Sequence, residues 1–184
     1  MSAPQLRRTE KAMPHEIALQ VLERNFSGRL ATIGSDGYPY CVPLLYVCMD
    51  GALFLHGTAA KGHLRSNIEY EPNACFEVDE AGQVFDYGRF ECDSGLEFAS
   101  VILFGKISIV GDEGLKQTFF QAFMAKYGRG DTGRPKDFFP RLHYTTVYRF
   151  DVERLSGKEQ VLPPLYEQWP AKDMTKTPNA RPDT

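Results

Sequence analysis

The residues best suited to chemistry in this sequence follow an apolar run that ends at His56. Small residues occupy positions 57–60, and three basic side chains, Lys61, His63 and Arg65, come directly after them. Small residues leave backbone N–H groups accessible, and the start of a helix carries partial positive charge, so the segment is typical of a phosphate-binding site. The alternative is a solvated turn whose basic side chains are simply exposed.

His56 has two interpretations of its own. At the end of an apolar strand it is either a core histidine bonded to a backbone carbonyl or a rim residue that faces a ligand. His56 and His63 have no third metal ligand at helical spacing, so a zinc site has little support. No GxGxxG follows a predicted strand, and P-loop, GxSxG and HExxH patterns are absent. A phosphate would therefore be only the anchor of the ligand, with something flat and apolar in the adjacent groove.

Composition limits the class of protein. A chain of 184 residues is expected to form one domain with a real core. A formal charge of -3 without a basic stripe argues against nucleic acid as a partner. No apolar run approaches the roughly 18 residues of a membrane helix, and the N-terminus lacks the apolar core of a secretory signal. The four scattered cysteines predict a cytoplasmic protein with reduced, mostly buried thiols.

Hydrophobic patterning indicates a chain dominated by β-strands. Two Asp-Gly pairs, at positions 36–37 and 50–51, lie between apolar runs and predict hairpin turns. Pro39 and Pro43 predict that their strand lies at a sheet edge or is bulged, because proline cannot donate to the ladder. A bend is expected near Gly105 in the fifth strand. The predicted strands are Arg29–Ile33, Tyr38–Cys48, Ala52–His56, Ala74–Asp79, Phe98–Val110 and Thr145–Val152.

Three helices are predicted between these strands. The first follows Pro14 and stops near Gly28, and the second runs from about residue 62 to 70 and ends before Pro72. Asp112 is the expected N-cap of the third, which Gly128 ends after an apolar stripe at every fourth residue. Residues 82–94 are predicted to form a polar, irregular loop.

Several antiparallel strands with inserted helices predict a mainly β (α+β) fold, a small barrel of about six strands with peripheral helices. We expect one domain over residues 1–158 and an extended, partly disordered tail over 159–184. Within the tail, Tyr166 and Trp169 are expected to form an apolar latch, and Met174 to Thr184 to be disordered.

Eight short motifs between residues 7 and 159 together match a known family in order and spacing. They are Arg7-Arg8, Gly28-Arg29-Leu30-Ala31-Thr32, Tyr38-Pro39-Tyr40-Cys41-Val42-Pro43-Leu44, Phe54-Leu55-His56-Gly57, Gly62-His63-Leu64-Arg65, Phe76-Glu77-Val78, Ser100-Val101-Ile102-Leu103-Phe104-Gly105 and Ser156-Gly157-Lys158-Glu159. On these motifs the chain resembles the FMN-binding split barrels of the pyridoxamine 5'-phosphate oxidase-like superfamily, in particular the nitroimidazole-resistance branch.

The resemblance implies a homodimer with two sites at its interface and FMN as the cofactor of each. It implies that backbone atoms of Pro43 and Leu44 border the isoalloxazine ring. The segment from Thr58 to Arg65, with Lys61 and His63, would hold the phosphate. His56 falls on the histidine that the branch places beside the flavin, which makes it the catalytic candidate.

The resemblance also implies that the segment near Glu97 to Ser100 comes from the other subunit. Here this chain departs from the family, because Phe98-Ala99-Ser100 replaces a Tyr-Arg-Ser sequence and an arginine is lost. It also lacks the arginine-rich C-terminus of true pyridoxamine phosphate oxidases, which disfavours that particular activity.

Three functions are open at this point. The first is a flavin reductase or oxidoreductase that acts on a small, flat, electron-poor molecule, with NAD(P)H as a candidate electron donor. The second is haem binding or degradation, with His56 or His63 as the iron ligand. The third is a flavin-storage or flavin-sensing module without turnover.

Overall fold

The computed structural model describes residues 6–130, 133–135 and 137–169. They form one seven-stranded antiparallel sheet with three α-helices, which confirms the mainly β, α+β class. The strands are β1 (Gly28–Ile33), β2 (Pro39–Leu44), β3 (Tyr46–Met49), β4 (Ala52–Thr58), β5 (Asn73–Asp86), β6 (Ser94–Ile109) and β7 (Thr145–Gln160). The helices are α1 (His15–Arg24), α2 (His63–Tyr70) and α3 (Glu113–Tyr127).

The order of the strands explains why this sheet curls into a split barrel. The order is β2-β1-β5-β6-β7-β4-β3, so β2 and β3 lie at opposite edges. Only Leu45 separates them in the chain, and one residue spans only about 3.5 Å. Seven flat strands at about 4.8 Å spacing would hold the edges far apart. The sheet therefore has to bend until its two edges meet.

The same connection corrects one predicted strand. We expected Tyr38–Cys48 to be continuous, but the chain leaves the ladder at Leu45 and its two halves pair with different strands. This break accounts for seven strands where about six were expected. The prediction of an edge position for Pro39 and Pro43 is confirmed, because β2 pairs only with β1. An edge strand tolerates proline since one of its sides donates to no neighbour.

The predicted loop over residues 82–94 is wrong. β5 and β6 continue through most of it as a hairpin, pairing Val84 with Leu96 and Asp86 with Ser94. The alternation of exposed Val84 and buried Phe85 is a strand pattern that the polar composition concealed. A register shift between Ala81 and Val84 marks the irregular part. Only residues 87–93 connect the two strands.

Two hydrophobic cores lie on opposite faces of the curled sheet. The larger one fills the barrel and includes Leu30, Phe76 and Phe150, each fully buried. The smaller one lies under α3 and combines Val47, Ala52, Phe54, Val110, Phe119 and Val147. Because side chains alternate along β4, Phe54 points to α3 whereas Leu53 and Leu55 point into the barrel.

The two ends of α3 are fixed by a cap and by a side-chain hydrogen bond. Asp112 caps α3 as predicted, since its Oδ1 accepts the Leu115 N–H at 2.6 Å, and Gly128 follows the last residue of the helix. Tyr127 anchors the C-terminal end of α3, where its hydroxyl donates to the Phe26 carbonyl at 2.8 Å. Within the described residues, none of the helices is long and apolar enough to cross a membrane.

The expectation of mostly buried thiols is wrong. Cys41 and Cys92 are exposed, and Cys48 and Cys75 are half-buried; all four are free. Cys41 is exposed because it alternates with half-buried Tyr40 and Val42 along β2, and Cys92 because it lies in the hairpin connection. After β7 the Trp169 N–H donates to the Asp86 carbonyl at 2.8 Å, whereas the Tyr166 side chain stays exposed. The predicted disorder of 174–184 lies outside the described residues, and the division of the chain at residue 158 stays a prediction.

Gly105 provides a test of the barrel packing. The expected bend is present as a register shift between Phe104 and Gly105. A Cβ at Gly105 would collide with the backbone oxygen of Asp151 and lie 3.2 Å from Cζ of Phe150. We expect Gly105→Ala to lower the free energy of unfolding by about 1–3 kcal/mol, the usual cost of overpacking. Urea unfolding measures it.

The matched control is Gly111→Ala, where an added Cβ has no heavy atom within 4 Å. Its unfolding free energy should stay within about 0.5 kcal/mol of the parent protein. Equal stabilities of the two variants would show that β6 and β7 can move apart at Gly105 at little cost in free energy.

Candidate functional site

The loop after β4 is fixed in place by backbone and side-chain hydrogen bonds. The Ala59 N–H donates to the Tyr144 carbonyl at 3.0 Å, and the Thr146 hydroxyl donates to the Thr58 carbonyl at 3.1 Å. Arg65 Nη1 donates to the Ala59 carbonyl at 3.0 Å, so α2 holds the loop that precedes it. The Thr58 side chain itself is exposed at the end of β4.

Glu69 organises the basic cluster around this loop. Lys61 Nζ lies 2.6 Å from Glu69 Oε2, and Arg65 Nε lies 2.8 Å from Glu69 Oε1. The hydrogen bond from Lys61, followed by the one from Arg65, lowers the pKa of the Glu69 carboxyl below its ordinary value. Two cations share one carboxylate, so the cluster keeps a net positive charge.

The N-terminus of α2 opens onto a cavity of about 440 Å³. Its N-cap, Gly62, supplies no side-chain acceptor to the first turn, and a Cβ there would have no heavy atom within 4 Å. Lys61, His63 and Asp36 all line the cavity. An uncapped helix start with adjacent cations fits a phosphate, whereas the Asp36 carboxylate limits how far an anion can enter.

His63 connects this cavity to the edge strand β2. Its ring stacks on Tyr40 with the centroids 4.5 Å apart and the planes at 5°. Further along β2, Pro43 is exposed and Leu44 packs against the barrel core. The structure therefore brings Lys61, His63 and Arg65 together at one end of the barrel, next to the edge strand that carries Pro43 and Leu44.

His56 lies on the α3 side of β4. Its ring centroid is 5.8 Å from Phe119, 5.6 Å from Phe120 and 4.8 Å from Phe123. We call these three phenylalanines the aromatic nest. The Nδ1 atom is buried and has no hydrogen-bond partner among the described residues. Burial lowers the pKa of His56 below its ordinary value, so the ring is neutral at pH 7.

Ser100 lies away from these groups, on the outer face of β6. Its hydroxyl is 3.4 Å from Glu77 Oε1, and Arg29 bridges Glu77 and Asp79 on the adjacent strand. Burial, followed by the charge of Asp79, raises the pKa of Glu77. Three strand positions separate β6 from β2 in the sheet order. One chain does not place Ser100 beside its own basic cluster, and its assignment to the site of a second subunit stays a prediction.

Sequence reasoning missed two residues of this site. Glu69 follows Arg65 by four positions, the helical spacing at which opposite charges meet, so a signal was available. Tyr40 had no local signal, because its stacking on His63 depends on how the sheet curls.

The comparison with known families identifies the class of protein. The pyridoxamine 5'-phosphate oxidase family model matches residues 14–159, which is most of the chain. The chain therefore belongs to the pyridoxamine 5'-phosphate oxidase family, as the motifs in its sequence predicted. No curated protein sequence gives a significant match.

Solved structures share this fold at low sequence identity. A candidate 5-nitroimidazole antibiotic resistance protein from Bacteroides thetaiotaomicron is 18% identical, with a TM-score of 0.67 over 80% of this chain and 85% of its own. A flavocytochrome from Azotobacter vinelandii is 21% identical, with a TM-score of 0.74 over 88% and 74%. An FAD- and haem-binding protein from Mycobacterium smegmatis is 19% identical, with a TM-score of 0.69 over 82% and 73%. At these identities the likeness demonstrates the fold alone.

The neutral, half-buried His56 predicts a pH dependence of stability. Its pKa is lower in the folded chain than the value of about 6.5 in the unfolded chain. The unfolded state therefore binds the proton first, and stability decreases as the pH falls below about 6.5. One proton limits the slope to about 1.4 kcal/mol per pH unit. In His56→Phe, which suits the aromatic nest, this part of the slope should disappear.

Urea unfolding between pH 8 and pH 5 measures the effect. His15→Gln, at the exposed start of α1, is the control and should keep the parental slope. A slope that persists in His56→Phe would assign the acid sensitivity to other groups.

Proposed function

We propose that this chain is a cytoplasmic, homodimeric FMN-binding oxidoreductase that acts on a small, flat, electron-poor molecule. The observation that carries the proposal is the uncapped N-terminus of α2 beside Lys61, within a chain of the pyridoxamine 5'-phosphate oxidase family. The flavin and haem named in the descriptions of the similar structures give it further support.

The cofactor phosphate would bind to the first N–H groups of α2, with Lys61 and His63 as charged or hydrogen-bonding partners. Arg65 would act on the loop itself, since it already holds the Ala59 carbonyl. Backbone atoms of Pro43 and Leu44 would border the ring system. When bound, the flavin would supply the electron-transfer chemistry, and the protein would orient it and tune its surroundings.

His56 is the proposed catalytic residue, beside the flavin. The neutral ring is fixed by the aromatic nest and can donate or accept a hydrogen bond without carrying charge. A core role remains the competing interpretation, since three phenylalanines already contact the ring. The two interpretations differ in whether replacement of His56 changes the flavin or only the stability.

The homodimer is part of the proposal. Ile102 is 36% exposed on the outer face of β6, two residues before the half-buried Phe104, and Ile33 is 40% exposed at the end of β1. Exposed aliphatic side chains on the outer face of a sheet are suited to an isologous contact. Such a contact would also bring Ser100 of one subunit toward the flavin of the other.

Light scattering at micromolar concentration should therefore give a mass of twice 20.8 kDa. A stable, flavin-loaded monomer would contradict this part of the proposal.

Haem binding is the second candidate function. Its specific support is the unpartnered Nδ1 of His56, a buried histidine nitrogen that an iron could reach only after the aromatic nest opens. The likeness to a flavocytochrome and to an FAD- and haem-binding protein adds to it. His63 is the other possible iron ligand. A non-catalytic flavin-binding module is the third candidate and would use the phosphate site without turnover.

The phosphate site predicts a selective loss of affinity. Lys61→Ala should weaken FMN by about 10- to 100-fold, because a charge-assisted hydrogen bond contributes about 1.5–3 kcal/mol. Riboflavin lacks the phosphate and should bind nearly unchanged. The control is Lys106→Ala, an exposed lysine that lies 3.9 Å from Glu153 on the outer face of the sheet. Equal losses for FMN and riboflavin would exclude this loop as the phosphate site.

The spectrum of the purified protein tests the function as a whole. We expect flavin absorption bands, bleached by NAD(P)H under anaerobic conditions and restored by an electron-poor acceptor. A Soret band would favour haem, and a flavin that NAD(P)H leaves oxidised would favour the binding module. Mass spectrometry of the ligand released by heat identifies the cofactor. His56→Phe should shift the flavin reduction potential with little change in melting temperature.

A further inference from the structure

We infer that a second ligand site lies in a cleft between the N-terminal segment, the β5–β6 hairpin and the segment after β7, and that it takes a small aromatic carboxylate. The cleft encloses about 470 Å³, a volume within the usual range for small-molecule sites. Basic side chains, two aromatic rings and one carboxylate line it. This inference does not depend on the proposed flavin chemistry.

Lys11 gives the cleft its affinity for an anion. Its ammonium donates to the side-chain oxygen of Gln160, a neutral acceptor, and lies 5.6 Å from the centre of the Phe98 ring. Among the described residues no carboxylate lies within ion-pair distance of Lys11, which is half-buried. After the hydrogen bond from Arg8, the charge of Lys11 contributes to the lowered pKa of the neighbouring Glu10. The hydrogen-bond acceptor of Lys11 is neutral, however, and a partly desolvated cation of this kind favours a bound carboxylate.

The remaining charges limit the ligand to one negative charge. Arg8 also lines the cleft, but its Nε is held at 2.8 Å by the exposed Glu10. Glu167 lines another part of the wall. A second negative charge on the ligand would meet this carboxylate, so a monocarboxylate suits the cleft better than a phosphate dianion.

The hairpin supplies an aromatic surface for the ring of the ligand. Phe85 is 6% exposed and Tyr87 is 56% exposed, with centroids 6.4 Å apart and planes at 57°. A Cβ at Gly95 would lie 2.6 Å from Cζ of Phe85 and 2.9 Å from Nε2 of Gln160. Glycine at this position therefore lets the Phe85 ring and the Gln160 side chain approach each other. A flat ring gains most from such a surface.

The cleft is separate from the loop after β4. β7 pairs with the end of β4 at Thr145 and reaches the cleft only at Gln160, so the two sites lie at opposite ends of this long strand. Arg8, Lys11 and Glu167 lie outside residues 14–159, which match the family model.

Calorimetric titration of the full chain with 2-naphthoate tests the site. We expect saturable binding at one site per chain, weakened about ten-fold by Lys11→Met, the effect of losing one charge-assisted hydrogen bond. The uncharged analogue 2-naphthalenemethanol should bind equally well to both proteins. Lys106→Met, which removes a lysine 3.9 Å from Glu153 on the outer face, is the matched control and should leave naphthoate unchanged.

Should Lys11→Met fail to fold by circular dichroism, Glu167→Gln takes its place and should tighten naphthoate but not the alcohol. The inference is overturned by any of three results. These are no saturable naphthoate binding, an equal loss in the Lys106→Met control, and displacement of naphthoate by FMN, which would put it in the loop after β4.

Discussion

The single residue between β2 and β3 constrains the rest of the molecule. Because Leu45 joins strands at opposite edges of the sheet, the sheet has to curl, and the curl encloses the barrel core. It also leaves β4 and β5 on different parts of the circumference, so α2 has to cross one end of the barrel between them. A buried hydrogen bond from Asn67 to Thr32 fixes this helix to β1. The uncapped start of α2 thus faces a defined cavity rather than open solvent.

The two sides of β4 differ in their electrostatics. At the end of the barrel, Lys61 and Arg65 pair with the Glu69 carboxylate. Under α3, His56 is enclosed by aromatic rings and is kept neutral by burial. Lys126 of α3 is another titratable side chain affected in this way. Its buried Nζ lies 4.2 Å from the centre of the Tyr46 ring, and burial lowers the pKa of Lys126. A ligand anion is consequently expected beside α2 and not beneath α3.

Features of the fold and of the site were predictable from the sequence where the residues that determine them are neighbours in the chain. The cap at Asp112, the edge position of Pro43 and the bend at Gly105 rest on neighbouring residues, and the sequence predicted all three correctly. The break at Leu45 and the stacking of Tyr40 depend on strand order, which no short pattern encodes. The hairpin over residues 82–94 was missed because its polar composition outweighed a short alternation. The basic cluster was predicted from spacing, and its counter-ion Glu69 was missed although the predicted helix placed it four residues after Arg65.

The pairing of β4 with β7 has a consequence for how the chain acquires its structure during synthesis. Ala52 pairs with Asp151, so roughly 100 residues separate partners in adjacent strands. A nascent chain can form the β3–β4 and β5–β6 hairpins early, but the sheet stays in two pieces until β7 has left the ribosome. Until then β4 and β6 each present an unpaired edge, the feature that templates intermolecular association. Slow translation just before residue 145 would prolong this exposed interval, whereas rapid completion of β7 would close it.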